Sequence, residues 1–132
     1  MSDPTNLVQY QWKNRLLLLF APNTDDAAYQ AQLEALSQRN PNLVAPGLDD
    51  RDMVVFYVLT EQGSLEHAGQ HITLSSQQIT SLRSQFDVPR DTFTLLLIGK
   101  DGGIKRHENH AVAVETLFAQ IDSMPMRQRE MR

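Results

Sequence analysis

Four groups of side chains in this sequence have the types and spacing to do chemistry. Asn23, Thr24, Asp25 and Asp26 stand where an apolar run gives way to a helical pattern, so the Thr24 hydroxyl and the amides of a helix start could meet a ligand. His67 and His71 are four apart, and His107 and His110 three apart, with Glu66 and Glu108 beside them. On one side of a helix, either pair would supply two imidazoles to zinc or nickel. Asp49, Asp50 and Asp52 flank Arg51 and offer carboxylates for calcium or for a paired-acid site. The last nine residues, 124–132, hold three arginines and three methionines, a basic and adaptable contact surface. Cysteine is absent from the whole chain, which excludes a thiol nucleophile, a disulfide framework and a zinc ribbon.

Each group also has a plain structural explanation. Asn23 to Asp26 suit a helix N-cap, and two acids there already answer the helix dipole, so an incoming anion meets repulsion of order 1 kcal/mol. A threonine with no neighbouring base is a poor nucleophile. No third ligand accompanies either histidine pair, and surface or hydrogen-bonded imidazoles account for all four. The aspartates lack the glycine and closing glutamate of an EF-hand loop and read as solvated turn charges. Lys100-Asp101-Gly102-Gly103 is a turn, since no phosphate-loop Gly-Lys-Ser/Thr follows. In the tail, Met124 and Met126 pack back on the domain while the arginines are solvated or pair with local acids. Neither a metal nor a cofactor is expected.

The elements that would position these groups follow from periodicity. Residues 1–14 alternate enough for an extended arm that lays Trp12 on the core. Residues 15–20, Arg-Leu-Leu-Leu-Leu-Phe, are too short for a stable helix and show no polar alternation, which predicts a central strand covered on both faces. A helix with Ala28, Tyr29, Leu33 and Leu36 inward follows, ended by Asn40-Pro41 and a loop through Pro46-Gly47. Residues 53–59 form a second inner strand, and 60–74 hold one short strand near 71–74, with Gly63 and Gly69 as turns. Ser75 and Gln78 form a capping-box pattern and Leu74 and Ile79 a hydrophobic staple, so a helix starts at Ser76, with Ile79, Leu82 and Phe86 buried. Residues 93–98 and 104–106 make a hairpin about the glycine-rich turn, and a last helix runs over 112–122 before Pro125. Helical crossovers between buried strands imply parallel pairing, with the hairpin as an antiparallel edge. This predicts an α/β, three-layer sandwich: a central mixed sheet of four or five strands with helices on both faces. The chain divides into an arm (1–14), one domain (15–123) and the basic tail (124–132).

Composition fits that reading. The chain has 132 residues, 41% hydrophobic and 21% charged, with a net charge of −4, too mild to imply a nucleic-acid groove. The apolar run after Lys13 is shorter than a secretory h-region and is followed by Asn-Thr-Asp-Asp, not a small-residue cleavage site. No run is long enough to span a bilayer, and the expectation is a soluble cytoplasmic protein with no membrane or nucleic-acid partner.

The element order is that of the thioredoxin-like fold, and the residues carry a closer likeness. Residues 90–105, an arginine, a strand, an Asp-Gly turn and a second strand, resemble the corresponding segment of peroxiredoxins. Residues 17–22, that hairpin and the ending Ile-Asp-Ser-Met-Pro-Met-Arg-Gln-Arg-Glu-Met resemble the DUDES-type domain of unknown function. That domain stands alone in bacteria and also forms part of sushi-repeat-containing secreted animal proteins. The resemblance implies a peroxiredoxin-related fold with no established activity, and the missing cysteines exclude peroxidase or thiol oxidoreductase chemistry. The expected role is a non-catalytic module that binds a protein partner or itself through Asn23, Thr24 and Asp25 or through Arg127 and Arg129. The alternative is a cysteine-independent enzyme, or a protein binding a small ligand or metal, that uses the Asn23-Thr24 loop or His67, His71, His107 and His110.

Overall fold

A computed structural model describes residues 3–37, 51–67 and 69–131. Its centre is β1 (Arg15–Phe20), buried at all six positions. β2 (Met53–Val58) pairs with it in parallel, and β5 (Thr94–Ile98) pairs on its other side. Neighbours on both edges and layers on both faces explain why β1 carries no polar alternation. Leu17 and Leu19 point to one layer, formed by α1 (Ala27–Ser37) and α3 (Val114–Asp122). Leu16, Leu18 and Phe20 point to the other, formed by α2 (Ser76–Phe86) and a 3-10 turn at Leu7–Tyr10. Each buried leucine contributes roughly 1.5–3 kcal/mol, so this strand is the main hydrophobic support of both layers.

The remaining strands are β3 (Gly63–His67), β4 (Gln70–Thr73) and β6 (Ile104–Glu108), and a short α4 (Pro125–Glu130) follows α3. The sheet order is β4-β3-β2-β1-β5-β6. It therefore has six strands, not four or five, because residues 63–73 form a hairpin where one short strand was expected. Gly63 misled: it is no turn but the start of β3, where a Cβ would lie 3.0 Å from the Tyr57 carbonyl and 3.1 Å from Ile79. Gly69, at φ +82°, does serve the turn.

A second correction concerns direction. β5 runs antiparallel to β1 although a helix precedes it. The 11-residue α2 is about 16 Å long, close to the roughly 19 Å separating β4 from β5 across four strand spacings. It thus crosses the sheet instead of running back along it, and delivers the chain to the end it left. The predicted start at Ser76 and the Ser75–Gln78 capping box are both present. Leu74 and Ile79 are buried in the same cluster, as a staple requires.

The N-terminal segment is a third correction. It is a 3-10 turn and not an extended arm, and Tyr10, packed edge-on against Phe56, makes the core contact assigned to Trp12. Trp12 is 62% exposed. The expected helix end at Asn40-Pro41, the Pro46-Gly47 loop, Asp49 and Asp50 lie outside the described residues. Among the described residues, no helix is long and apolar enough to cross a membrane.

Candidate functional site

The C-terminal ends of β1 and β2 open into the first candidate site, the loop end. Pro22, Asn23 and Thr24 face Leu59, Thr60, Glu61 and Gln62 across an open groove of about 580 Å³. The polar groups of the loop are largely spent on building it. Asn23 Oδ1 accepts the Asp25 amide at 2.9 Å, Asp26 Oδ2 accepts the Tyr29 amide at 3.0 Å as the cap of α1, and the Thr24 carbonyl accepts from Gln30 at 3.0 Å. The N-cap is therefore Asp26; Thr24 stays exposed on the groove, and Asp25 is exposed but does not line it.

Beneath this loop lies a residue that sequence reading missed. Arg83 of α2 is buried, and its guanidinium donates to the carbonyls of Ala21 (2.7 Å), Val58 (3.3 Å) and Pro89 (3.1 Å). It also lies 5.8 Å from the Phe20 ring centroid. Burial, then the charge of Arg90, lowers its pKa from the ordinary arginine value. The only signal in the sequence was its place beside Leu82 on the inward side of the helix.

The opposite end of the sheet, the tail end, holds most of the ion pairs among the described residues. Arg15, fully buried, donates through both terminal nitrogens to Glu130 at 3.2 and 3.1 Å. Lys100 donates to Glu130 at 2.7 Å and to Asp52 at 2.8 Å. Arg51 forks onto Asp122 at 3.1 and 2.8 Å, with its guanidinium 4.0 Å from the centroid of Phe118. Arg127 donates to Asp122 at 3.0 Å. Burial alone would raise the Glu130 carboxyl, but the hydrogen bonds and charges of Arg15 and Lys100 outweigh it and hold the pKa at about 2. Asp122 is likewise raised by burial and more strongly lowered by Arg51 and Arg127.

Above this network is a second groove, about 450 Å³, lined by Trp12, Met124, Pro125 and Met126 together with Lys105 and Arg129. Trp12 stands over it at φ +69°, left-handed backbone that is uncommon for a bulky residue, and its amide donates to the Lys100 carbonyl. Of the two tail arginines singled out from sequence, Arg127 is 5% exposed and faces Asp122, whereas Arg129 is exposed on the groove.

The structure does not bring the histidines together as helix ligands. His67 and His71 lie on β3 and β4, where Glu66 is opposite His71 and Gln70 opposite His67, so the two imidazoles leave opposite faces of the hairpin. His67 contacts Asn14 at 3.3 Å. His107 is on β6, and His110 beyond it lies 3.5 Å from Glu108. No group of three or more His, Cys, Asp or Glu is placed to hold a metal among the described residues. Asp52, from the acidic loop, is occupied by Lys100.

Comparison with known proteins agrees with this architecture. A family model described as a domain of unknown function, DUF4174, matches residues 6–130. Coiled-coil domain-containing protein 80 of Danio rerio is 31% identical over 95% of this chain, and Sushi repeat-containing protein SRPX2 of Xenopus laevis is 27% identical over 93%. The matched region is only 15% and 26% of those two proteins. Among solved structures, the reduced 2-Cys peroxiredoxin of Plasmodium vivax superposes with a TM-score of 0.63 at 15% identity, covering 96% of this chain and 85% of its own. Thioredoxin peroxidase I of Plasmodium yoelii gives 0.59 at 15% identity, over 93% and 79%. At that identity the likeness concerns the fold alone.

Proposed function

The chain belongs to the DUF4174 family, a DUDES-type thioredoxin-like domain of unknown function that here carries no cysteine, and from that premise we propose that it is a non-catalytic binding module working through its tail end. One observation carries this reading. A large aromatic side chain, Trp12, is 62% exposed and held in left-handed backbone above an apolar floor of Met124, Pro125 and Met126. Such a conformation costs about 1–3 kcal/mol and persists where surrounding structure imposes it. An exposed aromatic over methionines is the composition of a contact surface. The Asn23-Thr24-Asp25 loop supports this reading less, because Asn23 and Asp26 are committed to turn and cap.

A second reading keeps the loop end as a cysteine-independent ligand site, favoured by Arg83, a buried cation held by carbonyls. Affinity capture separates the two. The intact chain, Trp12→Gly and Thr24→Val are compared as baits. Partners lost with Trp12→Gly and kept with Thr24→Val support the tail end, and the reverse pattern overturns it. Point substitutions are required, because removing residues 124–132 would also remove Glu130 and strand buried Arg15.

A further inference from the structure

We infer that the Trp12 groove binds an acidic peptide segment, laying an apolar side chain between the Trp12 ring and Met124 and Met126 and a carboxylate against Arg129. This rests on the tail end being the binding surface and adds the chemistry of its partner. Four cations line the groove, Arg15, Lys100, Lys105 and Arg129, against one carboxylate, Asp101. Three of the cations are already answered from within: Arg15 by Glu130, Lys100 by Glu130 and Asp52, and Lys105 by Asp101 at 2.8 Å. The set of four cations and three carboxylates leaves one positive charge in excess. Arg129 carries it, exposed and making no ion pair among the described residues.

The rest of the lining selects the other half of the ligand. Trp12, Met124, Pro125 and Met126 give the groove an apolar lining beside that cation, so a bare anion would leave the lining wet and a purely apolar chain would leave Arg129 unanswered. A cationic segment meets like charge at the rim despite the aromatic ring. The groove is half open to solvent and does not enclose its contents, which suits a peptide segment better than a small molecule, since small-molecule sites enclose most of their ligand. Trp12 is the anchor, in keeping with the dominance of tryptophan and arginine at binding hot spots.

The single tryptophan makes the test direct, because its emission reports on the groove alone. The chain is titrated with a capped peptide of alternating Glu and Leu, and in parallel with a Lys-Leu peptide of the same length and with free glutamate. The expected result is a saturable blue shift with the Glu-Leu peptide only, weakened by added salt. Arg129→Ala should bind about fivefold more weakly, with Arg129→Lys restoring part of the loss. Trp12→Gly, followed by anisotropy of a labelled peptide, should lose about thirtyfold with a melting temperature unchanged or raised, which a merely structural tryptophan would not show. Equal binding of the Lys-Leu peptide, no binding of the Glu-Leu peptide, or undiminished binding in Arg129→Ala would each overturn the acidic-peptide assignment. Partner capture that still depends on Trp12 would, in those cases, leave the tail-end reading standing; capture independent of Trp12 would remove both.

Discussion

The two ends of the sheet each bury an arginine, and they hold its terminal nitrogens by different means while the Nε of both has no hydrogen-bond partner among the described residues. At the loop end Arg83 is held by three main-chain carbonyls, from Ala21, Val58 and Pro89. At the tail end Arg15 is held chiefly by a carboxylate, Glu130 of α4, which also binds Lys100. The first arrangement ties loops to the layer beneath and needs no counter-charge. The second makes the last helix part of the domain's electrostatics, so the floor of the Trp12 groove stays in place only while Glu130 does. Neutral carbonyls fix a local shape, whereas a shared carboxylate couples a surface to global stability.

Breaking the tail end should therefore cost most. Glu130→Ala leaves buried Arg15 without its carboxylate and Lys100 with Asp52 alone, and a loss of about 3–5 kcal/mol is expected in urea unfolding. The same carboxylate sets an acid limit. Its folded pKa, about 2, lies below the ordinary 4.5, so its stabilisation is complete above the unfolded value and is lost as pH falls through about 2. Unfolding midpoints measured between neutral and strongly acidic pH should fall across that window, and Glu130→Gln should flatten this part of the profile. At the loop end, Arg83→Met should cost less, about 2 kcal/mol, since it leaves the Ala21 and Pro89 carbonyls without a donor but strands no charge. A larger loss for Arg83→Met than for Glu130→Ala would reverse the comparison.

Smaller effects sharpen it. Asp26→Ala removes the cap of α1 and should cost about 1 kcal/mol by thermal unfolding. Trp12→Gly relieves left-handed backbone strain of about 1–3 kcal/mol at an exposed site, offset by about 0.4–1 kcal/mol of added unfolded-state entropy, so a small net gain is expected. A clear loss there would mean that Trp12 supports the fold and is not held out for contact.

How much of this was legible in the sequence follows from the range of each interaction. β1 showed in its unbroken leucines, and the start of α2 in Ser75 and Gln78, three residues apart, because both signals are local. The β3–β4 hairpin did not show: Gly63 answers to the Tyr57 carbonyl and Ile79, not to its own neighbours. The direction of β5 depends on how far α2 reaches across the sheet, which periodicity does not encode. The tail was legible in composition only. Its arginines and methionines stood out, but its organising residue is the single carboxylate Glu130, whose partner Arg15 lies 115 positions away. Trp12 read as core because alternation suggested an extended arm, and the 3-10 turn put Tyr10 there instead.

Contact at the tail end of the sheet, and not at the loop end, would show in amide chemical shifts mapped during titration with the Glu-Leu peptide. Changes are expected to group at Trp12, Lys105 and the α4 residues Met126 to Arg129, with Asn23, Thr24 and Thr60 to Gln62 unmoved. Changes grouped around Thr24 and Glu61, with the Trp12 and Arg129 signals still, would contradict it.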